Sequence, residues 1–224
     1  SGNSVNQGQT LIKPKVVVLD YGSGNVHSAV KAMVAAGADV ELTADSSKTS
    51  AADGLVIPGV GAFAAVMNQL ATVRGGELID QRLTASKPVF GICVGLQVLF
   101  SSGTEGDQAT GQETEGLGQW PGKVTRLEAP ILPHMGWNNV IAPKGSKLFA
   151  GLEDEKFYFV HSFAAHELPI DAQPPFHPPL ITWADYDGKF IAAVENGPLS
   201  GTQFHPEKSG AAGLKLLQNW IETL

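Results

Sequence analysis

Apolar residues along this chain fall into two rhythms. Short unbroken apolar runs, the mark of strands buried on both faces, occur at 15–20 (Val16-Val17-Val18-Leu19), 54–58 and 87–92, with a shorter strand-like piece at 39–42. Between them the spacing becomes helical. Val26, Val30, Met33 and Val34 share one helical face that stops at Gly37, a C-terminal cap. Helical stretches also fill about 62–70 and 76–83, and 94–100 switches to helix-like content after the strand at 87–92. This alternation predicts an α/β fold: a doubly wound, mostly parallel central sheet flanked by helices.

The second half has a different pattern. Residues 101–118, rich in Gly, Glu, Gln and Thr, read as an exposed loop. Strand-like pieces near 123–127, 137–141, 157–162, 180–184, 190–195 and 200–204 predict an additional strand-rich part in the C-terminal half. Residues 169–179 are proline-rich and irregular, and the chain closes on a helix with Leu217, Trp220, Ile221 and Leu224 on one face. No internal repeat and no separating linker is visible. The expected organisation is one domain over 15–224 behind a disordered N-terminal extension at 1–14, which is polar at its start, lacks an initiator Met and has no signal-peptide core.

Composition narrows the function classes. With 224 residues, 43% of them hydrophobic, the chain can bury a sizeable core. A net charge of −7 without a run of Lys or Arg argues against nucleic-acid binding. No apolar stretch approaches the roughly 20 residues of a membrane span. A single cysteine cannot form an intrachain disulfide, which fits a reducing, cytoplasmic setting. Gly22-Ser23-Gly24 follows a strand, but the third glycine of a dinucleotide fingerprint would fall on His27. The six histidines contain no helical ligand pair, so neither a metal nor a cofactor is expected.

The candidate chemistry centres on that one cysteine. Gly91-Ile92-Cys93-Val94-Gly95 is a G-x-nucleophile-x-G elbow between strand and helix. Small flanking residues suit the strained turn, and free N–H groups at the helix start would lower the thiol pKa and later hold an oxyanion. Taken alone, a cysteine after a strand is more often a small buried hydrophobe. Far downstream, 202–207 reads as the end of a strand in which His205 and Glu207, two residues apart, point to one side. Glu207 can then orient the His205 ring, while Pro206 keeps His205 extended. Cys93, His205 and Glu207 together suggest a nucleophilic triad.

Those two motifs resemble the class I, triad-type glutamine amidotransferases. The blocks Pro58-Gly59-Val60-Gly61-Ala62-Phe63, Pro133-His134-Met135-Gly136-Trp137-Asn138, 157–163 and 203–210 are similar to the branch serving as glutaminase subunit of imidazole glycerol phosphate synthase. The resemblance runs from about residue 15 to the C-terminus. It implies hydrolysis of glutamine to glutamate and ammonia, and passage of the ammonia through a channel to a (β/α)₈-barrel cyclase partner in histidine synthesis. It also implies an oxyanion hole made by the Val94 N–H and a flippable peptide in Gly59-Val60-Gly61. Gly61, Gln97, Ser162 and Phe163 would hold the substrate, and Asn25, Trp137, Asn138 and Lys208 match the family's partner interface. Three alternatives stay open: the glutaminase subunit of another amidotransferase, a stand-alone Cys hydrolase of similar fold, and a non-catalytic binding subunit.

As the only thiol, Cys93 should be the sole site captured by an electrophilic glutamine analogue. Intact-mass analysis should show one adduct on the wild-type chain and none on Cys93→Ala. An adduct that persists in the variant would remove Cys93 from the chemistry.

Overall fold

The computed structural model describes residues 12–106 and 112–224; of the expected N-terminal extension, residues 1–11 lie outside that range. In chain order the elements are β1 (Lys15–Leu19), α1 (Val26–Ala35), β2 (Asp39–Thr43), α2 (Ser46–Ala51), β3 (Gly54–Ile57), α3 (Phe63–Thr72), α4 (Gly75–Thr84), β4 (Val89–Ile92) and α5 (Val94–Gln97). There follow β5 (Phe100–Gly103), β6 (Thr114–Glu115), β7 (Trp120–Arg126), β8 (His134–Asn139), β9 (Lys156–His161), β10 (Phe163–Ala165), β11 (Leu180–Asp185), β12 (Lys189–Asn196), β13 (Leu199–Thr202), a 3₁₀ turn (Pro206–Lys208) and α6 (Gly210–Ile221).

The central sheet has seven strands in the order β11-β12-β13-β4-β3-β1-β2. Its β2, β1, β3, β4 and β13 run parallel, and β12 and β11 add an antiparallel margin. The sheet is mixed and mostly parallel, as the apolar runs predict. The step from β1 to β2 and the step from β3 to β4 go in opposite directions along it. Right-handed crossovers therefore send α1 to one face and α3 and α4 to the other. Accordingly, α1 packs with α6, while α2 and α3 each pack with α4. The strand-rich part forms a four-stranded sheet, β10-β7-β5-β6, and a separate hairpin, β8-β9. Phe157 packs tilted and Phe159 edge-on against Phe204, at ring distances of 4.4 and 5.4 Å, and together they bind the hairpin to the segment just after β13. No described helix is long and apolar enough to cross a membrane.

Three local expectations are corrected. In α1 the inward stripe is Val26, Ala29 and Met33, and Val34 is exposed; the small Ala29 lets that side of the helix lie against the sheet. The helix after Cys93 ends at Gln97, because Phe100 leaves it to pair in β5, where its ring meets Trp120 at 5.3 Å. That pairing also puts β5 and β6 inside the stretch read as loop. Long-range partners outweigh local composition in both places.

Arg82, in the last turn of α4, is a polar member of the core that the helical pattern does not reveal. It is buried, and its guanidinium donates to the carbonyls of Thr49, Ala52, Asp53 and Pro88 at 2.6–3.1 Å. It thereby joins the end of α2 to the entries of β3 and β4. Arg82→Met should lower the unfolding free energy by about 3 kcal/mol or more, since four carbonyls lose a charged donor. Urea unfolding measures this; a loss under about 1 kcal/mol would mean that water replaces the guanidinium.

Candidate active site

Strand β4 is central, and Cys93 stands at its C-terminal end, where ligands gather in open α/β sheets. Its backbone is at φ 56°, ψ −113°, a conformation rarely taken by an L side chain. The elbow is kept in place by contacts on two sides. The Cys93 N–H donates to the Thr202 carbonyl of β13 at 2.8 Å, and the Cys93 carbonyl accepts from Leu96 and Gln97. A Cβ on Gly95 would lie 2.0 Å from the Ile57 carbonyl oxygen, so the G-x-C-x-G spacing records a close backbone approach to β3.

His205 lies just beyond β13. Its N–H donates to the Tyr158 carbonyl at 3.0 Å, and its carbonyl accepts from the Ser209 hydroxyl at 2.6 Å. The ring Nδ1–H donates to Glu207 Oε1 at 2.5 Å, and the Cys93 side chain lies close enough to the ring to act on its pKa. The three residues thus come together as their spacing predicts. The route differs in one detail: Pro206 opens a 3₁₀ turn, so Glu207 reaches the ring from a turn and not by strand alternation. Proline is tolerated at that first helical position. Burial pulls the His205 pKa down, but the neighbouring Cys93 side chain and the hydrogen-bonded Glu207 carboxylate prevail and lift it to about 10.

The expected oxyanion donor Val94 is engaged within the chain in this structure. The Val94 N–H is not free: it donates to the Gly59 carbonyl at 3.2 Å. The Gly59–Val60 peptide therefore directs its oxygen, and not its N–H, at the elbow. Gly59 packs too tightly for a side chain, as an added Cβ would sit 2.4 Å from the Gly95 nitrogen, while Gly61 is exposed at φ 93°. Tyr21, which the sequence reading left without a role, donates its buried hydroxyl to the Pro58 carbonyl at the root of this loop. Burial pushes its pKa up to about 12.

On the other side of the sulfur, Gln97 Nε2 donates to the Phe163 carbonyl at 3.0 Å and to Gln203 Oε1 at 3.1 Å. Gln203 Nε2 in turn lies 3.7 Å from Cys93 Sγ. Phe163 thus enters the site through its backbone. Ser162 is half-buried, and its carbonyl accepts from Leu127. Gln203 was missed although the signal was available: like Glu207 it is two residues from His205, and an extended chain puts 203 and 205 on one side. Behind it, His161 Nδ1 donates to the same Phe163 carbonyl, and His134 Nδ1 donates to His161 Nε2, both at 2.9 Å.

Among the expected interface residues, Asn25 is exposed in left-handed conformation at the start of α1, and Lys208 is exposed in the 3₁₀ turn. Trp137 is half-exposed on β8, edge-on to Tyr158. Both α1 and β9 contact the 3₁₀ turn, which brings these positions to one side. Asn138 differs: it is half-buried, and its amide donates to the Asp185 carbonyl and reaches His134 Nε2.

A cysteine elbow at the end of a central parallel strand, with a His–Glu pair beside it, is an arrangement of the amidotransferase class, and the family model "Glutamine amidotransferase class-I" matches residues 17–223. The chain is 61% identical over 93% of its length to imidazole glycerol phosphate synthase subunit HisH of Leifsonia xyli subsp. xyli, of which it covers 98%. It is 57% identical over 96% of its length to the HisH subunit of Nocardia farcinica, covering all of it. A solved structure of PurLQS from Thermotoga maritima shares the fold, with TM-score 0.64, 19% identity and coverage of 95% of this chain and 99% of that one. The chain belongs to the class-I glutamine amidotransferases and, within them, to the HisH family of imidazole glycerol phosphate synthase subunits.

The two buried histidines behind the site give a pH test. Burial holds His134 down to about 4 and, aided by the neighbouring imidazoles, holds His161 down to about 3 despite the Phe163 carbonyl. Below the ordinary value of 6.5 the unfolded chain binds protons that the folded chain refuses, so stability is full above that pH and falls as pH drops toward 4. Each histidine contributes a slope of about 1.4 kcal/mol per pH unit in that window. His161→Asn should flatten the acid limb of urea-unfolding free energy by about one proton; an unchanged slope would show that the pair is not the acid-sensitive element.

Proposed function

We propose that this chain hydrolyses glutamine to glutamate and ammonia at Cys93 and delivers the ammonia to a (β/α)₈-barrel cyclase that forms imidazole glycerol phosphate, in the cytoplasmic synthesis of histidine. The observation that carries the chemistry is the strained Cys93 elbow beside a buried His205 ring that Glu207 aligns. The Cys93 sulfur attacks the amide carbon, and His205 passes a proton to the leaving nitrogen as the C–N bond breaks. His205 then takes a proton from water, which attacks the thioester and expels the thiolate. Glu207 keeps the Nδ1 proton in place and steadies the imidazolium throughout. Gln97 supports binding of the substrate's amino-acid end: its Oε1 is a buried acceptor without a partner among the described residues, suited to an ammonium group.

The partner reading rests on a second observation. Met135, Trp137 and Ile141 are exposed large apolar side chains in and just beyond β8, and Trp137 lies beside Gly210, just after the 3₁₀ turn that carries Lys208. Aromatic and Met anchors of this kind are enriched in protein interfaces. The Gly59 carbonyl supports a gated enzyme, because it occupies the Val94 donor that an oxyanion would need. Residues 15–224 act in this reading as one amidotransferase unit. A stand-alone hydrolase gains no support from a site with its oxyanion donor turned away.

The free subunit should therefore be a poor glutaminase. Docking of the cyclase should raise glutamate release by roughly 10²–10³-fold, the worth of one oxyanion donor. Trp137→Ala should weaken complex formation and stimulation together and leave basal hydrolysis unchanged. Full activity in the isolated chain, indifferent to cyclase, would overturn the gated reading.

A further inference from the structure

We infer that Gln203 is a further catalytic residue, whose side-chain amide donates to the Cys93 sulfur and holds the thiolate; this rests on Cys93 being the nucleophile. The direction of that bond follows from its neighbours. The Phe163 carbonyl can only accept, so Gln97 must turn its NH₂ toward it, at 3.0 Å. The same NH₂ lies 3.1 Å from Gln203, which must therefore present its oxygen there. Gln203 is left with its own NH₂ facing Cys93 Sγ, at 3.7 Å. An amide flip at either glutamine would set like groups against each other.

The position is built for permanence. Gln203 is 1% exposed, so no bulk water competes for its amide. Its backbone N–H donates to Ala192 of β12 at 2.8 Å, and the preceding residue, Thr202, accepts from the Cys93 N–H. The sulfur is buried too, and a buried anion needs donors. With the Val94 N–H engaged by Gly59, the Gln203 amide is the side-chain donor hydrogen-bonded to the sulfur among the described residues, beside the His205 ring. His205 must surrender its proton during acylation. Gln203 does not, so it stabilises the thiolate as attacking group and again as leaving group, in either orientation of the 59–60 peptide.

The test is the pH dependence of Cys93 carbamidomethylation by iodoacetamide, followed by intact mass on the full chain, with Cys93→Ala as blank. Gln203→Met keeps the length of the side chain and removes the donor. It should move the acid limb of the rate upward by about one pH unit, the worth of a hydrogen bond to a charged group. With the cyclase bound, kcat for glutamine should fall about tenfold at unchanged KM. Gln203→Glu keeps the acceptor for Gln97 and sets a carboxylate oxygen on the sulfur, so its limb should move further; it also serves if Gln203→Met does not fold. Variant profiles superimposable on wild type would overturn the role of Gln203 alone. A wild-type chain with no reactive Cys93, or with no glutaminase activity beside its cyclase, would overturn the nucleophile reading beneath it.

Discussion

The backbone at residues 93–95 passes so close to β3 that no side chain fits between them, and the rest of the site is arranged around that contact. Gly95 lies against the Ile57 carbonyl, Gly59 against the Gly95 nitrogen, and Cys93 is tied to Thr202 across the sheet. A residue held at φ 56° persists only when its surroundings over-determine it. Here both flanking strands of β4 do so. The strain places one sulfur at the C-terminal end of the sheet and leaves it little freedom to move.

That rigidity makes the polar surroundings legible as donors and acceptors. From the Phe163 carbonyl through Gln97 and Gln203 to the sulfur, each partner has only one orientation in which it can bond. The His134–His161 pair ends on the same carbonyl from the other direction, with both rings neutral and both Nδ1 protons donated. A buried network of this kind, in which Gln97 Oε1 has no partner among the described residues, specifies geometry more than it adds stability. On the His205 side the logic is different. Glu207 and Cys93 favour the protonated ring strongly enough to outweigh burial and raise its pKa.

In the Gly59 loop a carbonyl, and not an N–H, faces the elbow. Tyr21 fixes its root at Pro58, while Gly61, exposed at positive φ, fixes little at its other end. A partner could reorient such a peptide only by binding one orientation better than the other.

Sequence alone determined the alternation of strands and helices, the parallel core of the sheet, the elbow and the nearness of Glu207 to His205, because each is written in local periodicity or fixed spacing. Val16–Leu19 can be buried on both faces only as an interior strand, and glycines on both sides of Cys93 announce a backbone contact wherever it occurs. Tertiary structure decided what depends on partners distant in the chain. Phe100 became a strand residue because Trp120 was there to pack on, and Val34 turned outward because Ala29 lies closer to the sheet. Arg82 was drawn inside by four carbonyls from other segments. The direction of the Gly59 carbonyl and the bond from Gln203 to the sulfur belong to this second kind, since hydrogen-bond polarity is set by neighbours in space and leaves no period in the sequence.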